Sequence, residues 1–449
     1  MLERTTVETT TGPILGRKKD DVLLFAGVPY AAPPVGNLRF KAPQPHPAWQ
    51  TAREALKFSP AAPQIPSGGL TDSANVRYAE DCLYLNVSTP AADNSKRAVM
   101  VWIHGGGYRT GQGSIPWYNG TSFNKNGDIV VVSINYRLGA LGFTDLSHLG
   151  DEYANSGING ILDQIAALQW VQDNIAAFGG DPGRVTIAGE SAGAFSVATL
   201  LGCEAAQGLF HQAIPQSGGA QHTLPKAAAA RVTSTFLEHL LPDHNAADQA
   251  MSLEAVSVED ILAAQQSTIS HYEQGAGVAN ELGVAVSPFY PAHGTPLLPE
   301  SPLDRLAQGC GKDVAVLTGS NAHETTLWGY GDISESKLER IAQGYGAASV
   351  LADYRNARPN ASVEELLIAL TTDHMFRIPA VRLAEVREAQ GAHTWMYLFA
   401  WESRAFGGRL KATHALEIPF TFNNLNRAGV DVFLGPGEQP QALADSMHQ

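Results

Sequence analysis

The chain has 449 residues, of which 44 are acidic and 30 are basic, so its formal charge is −14. A negative charge of this size argues against nucleic acid or an anionic lipid surface as the main partner. Hydrophobic residues make up 44% of the sequence and charged residues only 16%, which excludes an intrinsically disordered chain and predicts a folded, soluble protein.

Nothing in the sequence reads as a long flexible linker, and we therefore predict a single domain over residues 1–449. The cysteines are too few and too far apart for a disulfide framework: Cys82, Cys203 and Cys310. The first residues lack the apolar core of a secretory signal, and no apolar run approaches the ~20 residues that span a bilayer. These features predict a cytoplasmic protein without a membrane partner, present as a monomer or small homo-oligomer.

Apolar runs of strand length alternate along the chain with segments of helical periodicity. The runs at residues 98–103 and 129–134 predict strands covered on both faces, and those at residues 185–188, 314–317 and 394–399 predict further strands. Helical spacing is found at residues 160–178, 192–201 and 380–389. This alternation predicts an α/β fold with a mostly parallel central sheet and helices on both faces. Residues from about 225 to 313 are rich in alanine and are predicted to form a helix-rich insertion over one end of the sheet.

The pentapeptide Gly189-Glu190-Ser191-Ala192-Gly193 fits the pattern G-x-S-x-G and lies directly between a predicted strand and a predicted helix. A sharp turn in this context lifts the serine hydroxyl out of the sheet, and small flanking residues prevent collisions. Ser191 is therefore the candidate nucleophile. Glu190 is open to two interpretations, since it could tune a catalytic histidine or attract cations, or be an ordinary residue of the turn.

A glycine-rich segment, His104-Gly105-Gly106-Gly107-Tyr108, follows the first predicted buried strand. Glycines let the backbone approach a substrate carbonyl, and the N–H groups of Gly106 and Gly107, with that of Ala192, can hold a developing oxyanion. A flexible turn or a phosphate-binding loop are the alternatives. The phosphate loop fits poorly because no Gly-Lys-Ser/Thr follows and the G-x-G-x-x-G spacing is absent. We therefore favour an oxyanion loop, with Tyr108 as a candidate pocket residue.

These motifs together resemble the type-B carboxylesterase family. Further matching segments are residues 25–36, 80–87, 135–139 and 178–182. The resemblance implies an α/β-hydrolase fold with helical insertions over the active site, a carboxylic ester hydrolase of the EC 3.1.1 class, a small-molecule ester substrate, and neither cofactor nor metal. It also predicts a C-terminus truncated relative to the family, whose members continue for some tens of residues beyond the segment matched by residues 442–449.

The resemblance supplies the partners of Ser191, which spacing alone does not select. Residues 319–324 are similar to the family segment that carries the triad acid, and residues 412–420 to the segment that carries the catalytic histidine. Glu324 and His414 are therefore implied as acid and base, in the hydrolase order of nucleophile, acid and histidine. Without the resemblance, a surface carboxylate and a hydrogen-bonded loop histidine are the alternatives.

Two further residues are candidates for a supporting role rather than for the chemistry. Ser217 resembles a family serine that lies close to the triad, and Trp328 is a candidate wall of the substrate pocket. Other large aromatic side chains considered for that wall are Trp102, Trp117 and Phe289, although large aromatics more often belong to the core.

The predicted function is that of a serine carboxylesterase acting on small neutral esters through an acyl-enzyme, because a charge of −14 repels anionic substrates. Hydrolysis of carbamates or amides by the same triad is the alternative within the hydrolases. A non-catalytic binding protein on the same fold is disfavoured because all three triad residues remain. A dinucleotide-dependent enzyme is disfavoured by the missing glycine fingerprint.

Overall fold

A central sheet organises the computed structural model, which describes residues 3–66, 76–242, 246–274, 287–329, 331 and 333–449. Its strands are β1 (Arg4–Thr9), β2 (Gly12–Lys19), β3 (Val22–Pro29), β4 (Arg53–Glu54), β5 (Tyr84–Thr89), β6 (Arg97–Ile103), β7 (Val130–Ile134), β8 (Gly180–Glu190), β9 (Gln212–Gln216), β12 (Ala315–Asn321) and β13 (Thr394–Phe399), while β10 (Leu224–Pro225) and β11 (Ala292–His293) form a separate small parallel sheet. The order across the large sheet is β1-β2-β3-β5-β7-β6-β8-β9-β12-β13, with β4 beside β2.

The strand pairing of the sheet changes from antiparallel to parallel at β7. Strands β1, β2, β3, β5 and β7 pair antiparallel to one another, whereas β7, β6, β8, β9, β12 and β13 pair parallel. Every residue of β7 is buried, which explains its uninterrupted apolar sequence, because a strand covered on both faces needs no polar alternation. The predicted mostly parallel sheet with helices on both faces is confirmed for this central part.

Helices cover both faces of the sheet. They are α1 (Thr121–Gly127), α2 (Gly139–Phe143), α3 (Asn159–Asn174), α4 (Ala192–Leu201), α5 (Lys226–Leu240), α6 (Ala246–Ala255), α7 (Val258–Gln274), α8 (Pro302–Ala307), α9 (Glu335–Gly344), α10 (Leu351–Ala357), α11 (Val363–Thr372), α12 (Ile378–Ala389), α13 (Ile418–Thr421), α14 (Val430–Leu434) and α15 (Gln441–His448), with a single π-helical turn at Asp373–Arg377 between α11 and α12. None of the helices in the described ranges is long and apolar enough to cross a membrane.

Two apolar cores lie on opposite sides of the central strands. In β6, Val99 and Val101 belong to one core, and Met100 and Trp102 belong to the other. Successive side chains of a strand point to opposite faces, so β6 is packed from both sides. The first core includes side chains of α3 and α4, and the second includes side chains of α13 and α14. The two cores hold the central strands in place, and with them the loops that follow the ends of these strands.

The segment predicted as a helix-rich insertion contains α5, α6, α7 and α8 together with the small sheet of β10 and β11. Residues 243–245 and 275–286 of this segment lie outside the described residues. Helix α7 packs against α5 and against α2. Through the second of these contacts, the segment reaches the loops at the end of the parallel strands, where α7 forms part of a cavity wall.

Candidate active site

Ser191 occupies the turn between the last residue of β8 and the first residue of α4. Its φ of 58° and ψ of −124° lie in a sparsely populated region, as expected where a strand turns sharply into a helix. Two glycines make this turn possible. A Cβ on Gly189 would lie 2.6 Å from the carbonyl carbon of Gly193, and a Cβ on Gly193 would lie 2.0 Å from the carbonyl oxygen of Ile103. The G-x-S-x-G pattern is therefore required by close backbone packing.

Glu324 and His414 form a buried pair joined by both side chains and backbone. Nδ1 of His414 lies 2.7 Å from Oε2 of Glu324, and the N–H of His414 donates to the carbonyl oxygen of Glu324 at 3.0 Å. The second carboxylate oxygen, Oε1, accepts from the backbone N–H of Asn321 at 2.7 Å. Both carboxylate oxygens thus have partners. A carboxylate held at Nδ1 selects the tautomer that leaves Nε2 free to accept a proton.

The other ring nitrogen of His414 faces a second carboxylate. Nε2 lies 3.1 Å from Oε1 of Glu190, and this oxygen has no hydrogen-bond partner among the described residues. Burial alone would lower the pKa of His414, but the charges of Glu190 and Glu324 outweigh it and raise the pKa to about 9. Burial also raises the pKa of Glu190, to about 8. The site therefore stabilises a proton on the histidine.

Ser191 and His414 line the same cavity, but the expected hydrogen bond between them is not formed. Within the described part of the chain, the Ser191 hydroxyl has no hydrogen-bond partner, and Nε2 of His414 is directed instead to Glu190. Hydrogen bonds of this kind are often long or poorly aligned without substrate and tighten in the reacting complex. The serine hydroxyl therefore has no internal partner, among the described residues, that a substrate would have to displace.

The glycine loop after β6 contributes backbone donors next to Ser191. Gly106 and Gly107 have φ values of 110° and 62°, which side-chain-bearing residues rarely adopt. The carbonyl oxygen of Gly106 accepts from the N–H groups of Arg109 and Thr110, both at 3.0 Å. The N–H groups of Gly106 and Gly107 donate to no residue that the structure describes. They remain free for an oxyanion, as does the N–H of Ala192, which at the start of α4 has no acceptor within its helix.

A cavity of about 650 Å³ extends from the catalytic residues. One wall is aromatic. Trp328, half exposed, stacks on Phe376 with ring centroids 6.2 Å apart, and the Phe376 ring lies 4.6 Å from that of His414. Trp117 also lines the cavity, whereas Trp102 and Phe289 do not and are fully buried. A site with this shape accommodates a substrate of modest size with at least one apolar arm.

The remaining predicted residues lie behind this surface. Tyr108 is fully buried and does not line the cavity, and its hydroxyl lies 3.2 Å from the hydroxyl of Ser196 in α4. Ser217 is also fully buried, and its hydroxyl lies 3.5 Å from Oε1 of Glu417. Both residues support the loops that carry the catalytic groups and do not face substrate.

Two site residues were not singled out from the sequence. Glu417 is fully buried, accepts from Nδ2 of Asn321 at 2.6 Å, and has its pKa raised to about 7 by burial and by the charge of Glu324. The sequence feature that could have identified Glu417 is a carboxylate three residues after His414 within an otherwise apolar stretch. Phe376 belongs to the π-helical turn. No sequence pattern indicated that turn, although such turns are frequent at functional sites.

No group of three or more histidine, cysteine or acidic side chains in the described ranges is arranged to hold a metal ion. The three cysteines are free thiols, with Cys82 and Cys203 buried.

Comparison with known proteins agrees with this geometry. The carboxylesterase family matches residues 3–435. The chain is 39% identical to the para-nitrobenzyl esterase of Bacillus subtilis, covering 94% of this chain and 83% of that protein. It is 36% identical to the phenmedipham hydrolase of Pseudarthrobacter oxydans, covering 95% and 84%.

Among solved structures, the carboxylesterase EST55 of Geobacillus stearothermophilus superposes with a TM-score of 0.86 at 38% identity, covering 99% of this chain and 89% of that one. The predicted α/β-hydrolase fold is thereby confirmed. The chain belongs to the carboxylesterase family and is a carboxylic ester hydrolase.

Proposed function

We propose that the protein is a serine carboxylesterase that hydrolyses small, neutral carboxylic esters through an acyl-enzyme. One observation carries the proposal. Ser191, whose backbone is strained and whose hydroxyl has no described partner, shares a cavity with His414 of the buried Glu324–His414 pair and with the unpaired N–H groups of Gly106 and Gly107. Nucleophile, base and oxyanion donors are the components that acyl transfer requires.

In the first half of the reaction, Oγ of Ser191 attacks the ester carbonyl while Nε2 of His414 takes its proton. Glu324 stabilises the resulting imidazolium at Nδ1. The negative charge that develops on the carbonyl oxygen is held by the backbone N–H groups of Gly106, Gly107 and Ala192. Donors of this kind contribute about 3 to 4 kcal/mol each in other hydrolases.

In the second half, His414 gives its proton to the departing alcohol, and Ser191 retains the acyl group. A water molecule then attacks the acyl-enzyme with His414 again as the base, which releases the carboxylic acid and restores the serine. Of the groups used in these steps, Ser191, His414, Gly106 and Gly107 line the cavity, and Glu324 acts through its contact with His414.

The cavity and the charge of the chain support the preference for small neutral esters. An aromatic wall beside His414 suits an apolar arm. The cation of Arg109 lies 3.8 Å from the carboxylate of Glu273, and His414 lies between the carboxylates of Glu190 and Glu324, so neither of these described groups is an unpaired cation for an anionic substrate. Carbamates remain the alternative substrate class, because the same triad serves them and one relative is a phenmedipham hydrolase.

The proposal is tested by kcat/KM on para-nitrophenyl esters of increasing acyl length, one aryl carbamate and one dicarboxylate monoester. We expect the highest value for a short neutral ester. An organophosphate should inactivate the enzyme and label Ser191, as located by peptide mass spectrometry. A maximum at long acyl chains, a preference for the anionic ester, or a label on another serine would contradict the assignment.

A further inference from the structure

Besides its aromatic wall, the cavity has side chains with hydrogen-bond donors that the proposed mechanism does not use. Three of them are Arg109, just after the oxyanion loop, Gln265 on α7, and Ser287. Gln265 and Ser287 are almost completely buried, with 4% and 2% of their surface exposed. Buried polar groups normally have partners because an unpaired one costs free energy. The donor and acceptor atoms of Gln265 and Ser287 that lack a protein partner therefore indicate which hydrogen-bonding groups a ligand has to supply.

The orientation of Gln265 is fixed by its oxygen. Oε1 accepts a hydrogen bond from the backbone N–H of Ala140 at 2.8 Å, so the amide is oriented with its oxygen toward α2. The NH₂ group, Nε2, donates to no residue among those described, although Gln265 lines the cavity. A glutamine whose acceptor is occupied and whose donors are not presents only donors to a ligand.

Ser287 and Arg109 also offer hydrogen-bond donors to a ligand. Oγ of Ser287 accepts a long hydrogen bond of 3.4 Å from the N–H of Phe289, which leaves the hydroxyl proton for a ligand. Arg109 carries only donors, and its guanidinium lies 3.8 Å from the carboxylate of Glu273, which also lines the cavity. This ion pair offsets the positive charge of Arg109, so the wall offers donors without a net attraction for anions.

We propose that this donor wall, defined by Arg109, Gln265 and Ser287, binds a neutral hydrogen-bond acceptor on the substrate, remote from the ester group that is cleaved. Gln265 is the residue that determines this specificity. The substrate class is a neutral ester with an apolar arm for the aromatic wall and a carbonyl, ether or nitro oxygen for Nε2 of Gln265. The inference rests on the proposed esterase function, which it narrows.

The expected preference comes from the free-energy cost of binding an ester that leaves the NH₂ group of Gln265 without an acceptor. An ester without the acceptor displaces water from the NH₂ group of Gln265 and leaves it unpaired, whereas an ester with the acceptor replaces that water. Sites built to hydrogen-bond one substrate group discriminate strongly against analogues that lack it. We expect binding of the acceptor-bearing ester to be about five- to tenfold tighter than that of an isosteric ester, the range of one net hydrogen bond.

The experiment uses 4-acetylbenzyl acetate and 4-isopropylbenzyl acetate, which have similar shapes but differ in the remote carbonyl. Their dissociation constants are measured with the Ser191→Ala protein, in which binding is separated from cleavage, and their hydrolysis is measured with the unmodified enzyme. Gln265→Leu and the less disruptive Gln265→Met are introduced into both. Gln169→Leu is the matched control, because this glutamine on α3 is exposed and does not line the cavity, and we expect it to change the binding ratio less than twofold.

The inference predicts that Gln265→Leu and Gln265→Met weaken binding of the acetyl ester and bring the two dissociation constants within about twofold. A purely structural role, through the bond to Ala140, would weaken both esters equally and would overturn it. Equal binding of the two esters by the protein with Gln265 intact would also overturn it, whether or not the variants fold. A binding preference without hydrolysis would support the donor wall and contradict the esterase function, whereas hydrolysis without a preference would do the reverse.

Discussion

The two sides of the catalytic site are held in place in different ways. On the acid side, both oxygens of Glu324 have hydrogen-bond partners, and His414 is tied to it by side chain and backbone. On the nucleophile side, the hydroxyl of Ser191 and the N–H groups of Gly106 and Gly107 have no partner among the described residues. Their positions are fixed instead by glycine packing, in which a Cβ at Gly193 or at Gly106 would collide with backbone atoms.

This difference matches what each side has to do. In the proposed mechanism, the acid and the histidine keep one geometry throughout the reaction, so hydrogen bonds can fix them in advance. The nucleophile and the oxyanion donors must bond to the substrate, and any internal partner would have to be displaced first. Fixing them by backbone sterics keeps them in place and leaves their bonding capacity free, which is the condition for preorganised transition-state stabilisation.

The strongest test of the nucleophile side is Ser191→Ala, which removes Oγ and leaves the turn intact. We expect kcat to fall by about 10⁴-fold or more, because acyl transfer loses its nucleophile. The fold should be retained, since alanine is smaller than serine at this position. Circular dichroism and thermal unfolding serve as controls for folding, and turnover close to that of the unmodified enzyme would disprove the assignment.

The corresponding test of the acid side is Glu324→Gln. The amide can donate to Nδ1 of His414 and thus stabilise the wrong tautomer, and it no longer balances the imidazolium. We expect kcat to fall by about 10² to 10⁴-fold, a loss no greater than that of Ser191→Ala. Glu388→Gln, on the exposed surface of α12, is the matched control and should retain activity. An effect of Glu324→Gln as small as that of the control would place the triad acid elsewhere.

Strands β6 and β7 could be predicted from sequence because burial on both faces produces continuous apolar runs, and β13 has such a run although Trp395, Met396 and Leu398 are exposed. β13 was predicted with its observed limits, and β6 and β7 to within one residue. The antiparallel edge gave no such signal. In β1 only Val7 is buried, so the strand contains no apolar run, and its pairing with β2 depends on contacts that periodicity does not encode.

At the site, the local motif around Ser191 could be predicted because its geometry is enforced within five residues. The contact between Glu190 and His414 could not, since it joins positions 224 residues apart whose approach depends on how β8 and the loop before α13 are packed. The contact of Phe376 with His414 could not be predicted for a related reason. The π-helical turn that places Phe376 beside His414 follows from tertiary packing rather than from a repeat in the sequence.

The smallest expected effect concerns the one place where the two sides meet, the 3.1 Å contact between Oε1 of Glu190 and Nε2 of His414. Glu190 helps to raise the pKa of His414 to about 9, because a nearby negative charge stabilises the imidazolium. Catalysis requires the neutral imidazole, so kcat/KM should fall as the pH drops through this pKa. Glu190→Gln removes the charge, lowers the pKa of His414, and should move the acid limb of the pH profile to lower pH by about one unit.

The shift has a defined sign, which separates electrostatic tuning from mere packing of the turn. If Glu190 only packs, Glu190→Gln should change kcat/KM by a similar factor at every pH and leave the acid limb in place. A shift of the acid limb to higher pH would contradict a charged Glu190 beside His414, because removal of a nearby negative charge lowers the pKa of an imidazole. The profile is measured from pH 5 to 10 with a short neutral ester, and Glu388→Gln serves again as the control that should leave the limb unchanged.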